Sequence, residues 1–160
     1  MRLWTPLAAL VLIAALAPAQ SVRVGIFDKP SIVIAFYRSP QWAYTLGSKT
    51  AEMEEAKKTN DTRKVEELES WGKSGQERAH QQLMGEASVA NILEALAPAF
   101  PEIARKAQVS LIAADLPYSD ASVQTVDVTG LLLDWLKADD RTRAIIREMR
   151  NHPGPPPAIH

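Results

Sequence analysis

Cysteine is missing altogether from the 160 residues. That excludes a disulfide staple, so stability has to come from packing or from subunit association. It also excludes lipid attachment, which needs a cysteine after an export leader. Neither sign of charge dominates: 18 Lys and Arg face 19 Asp and Glu, a formal net charge of −1. Such a balance gives no reason to expect nucleic acid or an anionic surface as partner. Aromatic residues are scarce, at 6% of the chain, and the long stretch Gly47 to Gln82 carries few large apolar side chains. By composition alone that stretch sits at the border of disorder.

A long apolar run occurs only at the start. Met1 to Ala19 has one early positive charge, Arg2, then LAALVLIAALA, then Ala17-Pro18-Ala19, an A-x-A site suited to a signal peptidase. The run is well short of the roughly 20 residues a membrane-spanning helix needs, and Pro6 interrupts its front. The expectation is a cleaved secretory signal over 1–19 and no stable membrane insertion. The mature chain, from about Gln20, is then one domain's worth of sequence with net charge about −2.

What remains divides by composition. Val22 to Phe27 (VRVGIF) reads as a strand that exits at Asp28-Lys29-Pro30. A short helix SIVIAFY follows with Ser31 as its cap. Ser39-Pro40 reads as a fresh helix start, with Ser at N-cap and Pro at N1. After the polar stretch, Leu83, Ala87, Val89, Ala90, Leu93, Leu96 and Phe100 give a wide apolar face, interrupted by Pro98 and Pro101. Val109 to Ala113 reads as a strand, Val123 to Val128 as a half-exposed strand, and Thr129 as the cap of GLLLDWLK.

Within the polar stretch, small or apolar residues recur at 3-4 spacing. Ala43, Leu46, Thr50 and Met53 precede the centre; Val65, Leu68, Gly72, Gly75 and Ala79 follow it. Thr59-Asn60-Asp61-Thr62 lies between, rich in capping side chains. The pattern predicts a helical hairpin whose seam includes Leu46, Met53, Val65 and Leu68. Leu68 is expected opposite Met53, Val65 opposite Ala56, Gly75 opposite Leu46, and Ala79 against Trp42 or Ala43. Small residues facing large ones would let the backbones approach. The Gly72 and Gly75 pair leaves open whether the second helix is continuous or breaks.

In order, the pieces are VRVGIF ending in Asp, a helix broken at SP, a charged hairpin turning at TNDTRKVEELE, ILEALAPAFPEIARKA, VSLIAAD, and VQTVDVTGLLLDWLK. This order resembles the Skp/OmpH family of periplasmic chaperones, over about Val22 to Lys137. The resemblance implies an α+β fold, in which a small β-sheet body (20–39 and 83–137) carries a projecting helical arm (40–82). It also implies a homo-oligomer, a trimer in that family, whose arms enclose unfolded outer-membrane or envelope proteins in the periplasm. Met53 and Trp71 are candidate client contacts, since a flexible thioether and a large ring suit promiscuous apolar binding, although their spacing equally fits seam packing. The arm's first helix would reach about 28 Å at 1.5 Å per residue. The alternative function is a non-catalytic structural or adaptor protein of the envelope.

No cofactor, metal or catalytic site is expected. His80, His152 and His160 have no ligand spacing among them. Asp115, Asp120 and Asp127 surround a turn without the spacing of a calcium loop. Gly25 and Gly130 build no phosphate cradle. Residues 138–150 form a C-terminal helix, acidic at its start and arginine-rich at its end, with Ile145 and Met149 available to dock on the body. Residues 151–160 read as a proline-rich tail.

Overall fold

Alternation of Val22, Val24 and Ile26 with Arg23 and Gly25 favours an extended backbone, and β1 runs Val22–Ile26. The computed structural model describes residues 22–151. The expected leader over 1–19 and, apart from Asn151, the expected tail over 151–160, with His152 and His160, lie outside the described residues; Asn151 is helical and does not belong to the tail. β1 is the middle strand of three, between β2 (Leu111–Ala113) and β3 (Val123–Asp127), and both neighbours run parallel to it. The register places Val24 beside Leu111 and Thr125, and Gly25 beside Ile112 and Val126. Segments some ninety residues apart thus share one sheet, as the body reading requires.

α1 (Lys29–Tyr37) follows β1 at once. Ser31 is not its cap: Asp28 is, accepting the Ser31 N–H at 3.0 Å. Pro30 in the first turn has no N–H to lose, so the helix extends back through the expected turn. Ser31 through Phe36 are all buried, so α1 is apolar on every side and forms the centre of the core. Around it stand Leu83, Ile92, Leu96, Ile103, Leu132, Leu136 and Ile146. Each such side chain is worth about 1.5–3 kcal/mol of burial.

Ser39 accepts the Trp42 N–H at 3.2 Å and Pro40 opens α2 (Pro40–Lys58), as the sequence suggests. α3 (Thr62–Met84) is one continuous helix of 23 residues through Gly72 and Gly75. It ends at Gly85, whose φ of 76° is the left-handed cap geometry that glycine adopts without a steric cost. α4 (Ala90–Leu96), a 3-10 turn (Ala97–Ala99) and α5 (Phe100–Ala107) continue a single helical path that changes pitch at the prolines without stopping.

α6 (Thr129–Trp135) and α7 (Asp140–Asn151) complete the chain. Thr129 does not cap α6. Its hydroxyl accepts the Asp28 N–H at 3.0 Å, while Asp127 accepts the Thr129 N–H at 2.8 Å. The exit of β1 passes within reach of that hydroxyl and uses it first. α7 docks on the body through Ile146, buried at 3% exposure, with Ile145 and Met149 beside it. The molecule is therefore an α+β protein: a small parallel sheet and its helices, with α2 and α3 forming a two-helix arm. No helix among the described residues is long and apolar enough to cross a membrane.

Candidate functional site

Two features have no counterpart in a simple globule: the α2–α3 arm and one face of the sheet. The arm turns where its capping residues place it. Thr59 donates its hydroxyl to the Glu55 carbonyl at 3.0 Å, Asn60 takes the left-handed φ of 56°, and Asp61 accepts the Lys64 N–H at 3.0 Å. Asparagine and aspartate tolerate these roles because their short polar side chains bond the local backbone.

The seam matches the sequence on one helix and is displaced on the other. Along α3, Val65, Leu68, Gly72, Gly75 and Ala79 are all shielded, with Leu68 at 5% and Ala79 at 2% exposure, and Lys64 and Trp71 are partly shielded beside them. Along α2 the shielded positions are Trp42, Thr45, Lys49, Glu52, Met53 and Ala56, whereas Ala43, Leu46 and Thr50 are exposed, Leu46 by 48%. Leu46 is therefore not a seam residue. The cause is Trp42, whose ring lies edge-on to Tyr37 at 4.9 Å and stacks on Trp71 at 6.1 Å. Once that ring occupies the inner position, the stripe beginning at Ala43 is turned by one residue, about 100°, toward solvent. Trp42 also meets Trp71 rather than Ala79, about two turns nearer the tip.

Trp71 is half-buried under that stack and Met53 is half-buried on the inner side. The open apolar side chains of the arm are instead Tyr44, 81% exposed, and Leu46. Elsewhere on the arm, ion pairs form within single helices one turn apart, Lys49–Glu52 at 2.9 Å and Lys64–Glu67 at 3.0 Å. The ammonium of Lys49, hydrogen-bonded to Glu52, holds that carboxyl below its usual range. Pairs so exposed add little to stability.

The glycines do not draw the helices together. A Cβ added at Gly72 or Gly75 would meet nothing within 4 Å. Gly72→Ala and Gly75→Ala are each expected to raise stability by about 0.4–1 kcal/mol, because alanine restricts the unfolded chain and fits a helix interior. Urea denaturation of the two variants checks this.

The sheet has unlike faces. Gly25, Phe27, Ile112, Val126 and Val128 point into the helices. Val22, Val24, Ile26, Leu111, Ala113 and Val123 alternate with them on the other side. None of these six belongs to the apolar cluster that the helices form with the first face. Val22, two residues before buried Val24 on β1, is 51% exposed, and Leu111, beside Val24 on β2, is 54% exposed. β2 and β3 are both edge strands, and neither contains the lysine or proline that commonly blunts an edge.

The carboxylates at the strand ends have structural employment. Asp28 caps α1, Asp127 accepts the Thr129 N–H, and Asp115 pairs with Lys29 at 2.6 Å. Asp120 accepts both the N–H and the hydroxyl of Ser122 at 2.6 Å, which hold its carboxyl below the usual range. Among the described residues no three His, Cys, Asp or Glu side chains are grouped to hold a metal ion. His80 is exposed on α3.

Gln82 carries a role that the sequence analysis did not assign. It is 2% exposed, and its amide bonds to three other parts of the chain. Its signal was its place: 65, 68, 72, 75, 79 and 82 continue one 3-4 series, and glutamine stands where that series reserves a small or apolar residue.

These features define an α+β protein with a small sheet body and a two-helix arm rooted in it. Comparisons with protein-family models, with curated proteins and with solved structures find no match.

Proposed function

We propose that this protein is a periplasmic holdase that keeps unfolded outer-membrane or envelope proteins from aggregating, acting as a homo-oligomer, a trimer by its resemblance to Skp/OmpH. The observation that carries the reading is the arm itself, a hairpin of charged helices with exposed Tyr44 and Leu46, rooted in a body built from both ends of the chain. The second face of the sheet, whose apolar residues stand outside the core cluster, supports the self-association in this reading. Apolar side chains on a solvated arm suit clients of varied sequence, because apolar contact is non-directional.

The test is suppression of aggregation of an unfolded β-barrel protein. Protection at several-fold molar excess supports the reading; none, with the chaperone shown folded, ends it. Tyr44→Ser and Leu46→Ser are expected to cut that protection while moving stability by no more than about 0.5 kcal/mol each, as surface changes do. Weaker protection from Met53→Ala or Trp71→Ala than from those two would assign client contact to the inner seam instead.

One observation favours a non-catalytic adaptor of the envelope: Trp71, the largest ring on α3, is already stacked on Trp42. Full protection by the wild type excludes that reading.

A further inference from the structure

The arm joins the body at two places, and they differ in stiffness. α1 and α2 are separate helices, broken at Arg38-Ser39, so α2 does not inherit the direction of α1. α3 runs unbroken from the tip into the body, and its last turns are buried by Ala79, Gln82 and Leu83. The direction of the arm is therefore decided where α3 ends.

At that place apolar contact alone would leave the angle loosely set, because burial of Ala79 and Leu83 rewards area and has no preferred direction. Hydrogen bonds do have one. Tyr37 of α1 donates its hydroxyl to Gln82 Oε1 at 2.8 Å, and Gln82 Nε2 donates to the Ser88 carbonyl and to Asn91 Oδ1 of α4, both at 2.6 Å. One buried amide thus ties the arm to the first body helix, to the turn after Gly85 and to α4. Tyr37 also joins this network to the aromatic stack, since its ring packs on Trp42.

We propose that Gln82 is a latch: its three hydrogen bonds hold the α2–α3 arm at one angle to the body, and the arm swings as a unit about the Ser39 and Gly85 breaks when they are lost. Gln82 is a positioning residue. The proposal deepens the holdase reading by naming what sets the opening between arms, and it rests on that reading only for its use.

The absence of cysteine from the sequence makes the test direct. Nitroxides at Arg63→Cys, near the tip, and Glu148→Cys, on α7, both exposed positions, report the arm-to-body distance by pulsed electron spin resonance. Diluting labelled with unlabelled chain isolates the distance within one copy. The wild-type latch should give a single narrow distribution. Gln82→Leu should widen it about twofold, and Tyr37→Phe, which removes one of the three bonds and keeps the ring, should widen it less. Unchanged distributions in both variants, with native circular dichroism, overturn the latch even if both variants melt earlier, for Gln82 then contributes only packing. Should Gln82→Leu fail to fold, Tyr37→Phe decides alone. Client protection is scored separately on the unlabelled wild type, so loss of the holdase reading leaves the distance result standing.

Discussion

Gly25→Ala is expected to destabilise the protein by about 1–3 kcal/mol, and Gly25→Val to prevent the body from folding. A Cβ at this position would lie 3.1 Å from Val128 Cγ1, 3.2 Å from Val109 Cγ2 and 3.3 Å from Ile112 Cγ1. All three neighbours are β-branched, with few rotamers to escape into. They come from β2, from two residues before it and from the residue after β3, so the central strand cannot shift away from one without meeting another. Valine would add two further methyl groups to the same crowded place. Because α3 is anchored against α1, the arm should melt with the body in one transition. Urea denaturation followed by circular dichroism reads both. A Gly25→Val protein with an unchanged midpoint would mean that the first strand is not held between the two late ones. The contrast with Gly72 and Gly75 is instructive: adding the same methyl group there is expected to stabilise, since nothing stands within 4 Å.

Much of this architecture is legible in the sequence, and the exceptions have physical causes. The Ser39-Pro40 start, the Asn60 turn and the α3 seam are written in short-range chemistry, and each stands where the sequence places it. The seam of α2 is displaced because 3-4 spacing weighs Ala43 and Trp42 alike, whereas a stacked ring outcompetes a methyl group for a shielded position. The caps at Ser31 and Thr129 were misplaced for a related reason. The Thr129 hydroxyl could serve its own helix or a neighbour, and the path of β1 decides; at Ser31, Pro30 lets the helix begin earlier, so Asp28 takes the cap. The strand directions were not legible at all. Period-two alternation fixes which face a side chain takes but not the sense of the next strand. Here β1 reaches β2 through the whole helical path from α1 to α5, and residues 114–122 carry the chain back to begin β3 parallel to both. The exposed pair Tyr44 and Leu46 could be found only once the seam was known, since exposure is a property of the partner surface.

If the second sheet face joins copies of the chain as proposed, Val22→Glu combined with Leu111→Glu is expected to leave monomers and to abolish the proposed client protection. The two side chains are about half exposed within a single chain, so in the isolated subunit the change should cost little, as surface substitutions do. In an assembly that buries this face the same carboxylates would be desolvated without partners. Even a partial penalty of several kcal/mol would be decisive, because each 1.4 kcal/mol weakens association about tenfold. Charge on an open strand edge is also the device by which natural sheets prevent pairing, so the substitution acts on the edge and the face together. Size exclusion coupled to light scattering gives the mass, and Tyr118→Glu, on an exposed loop, supplies the control for added charge at a site 80% exposed. A wild type that runs as a monomer would remove self-association from the proposed function. A double variant that remains assembled would move the interface to another surface. A monomeric variant with its melting temperature retained and its protection lost would separate the two roles of the molecule, since one arm would then be folded and exposed yet unable, without its copies, to hold a client.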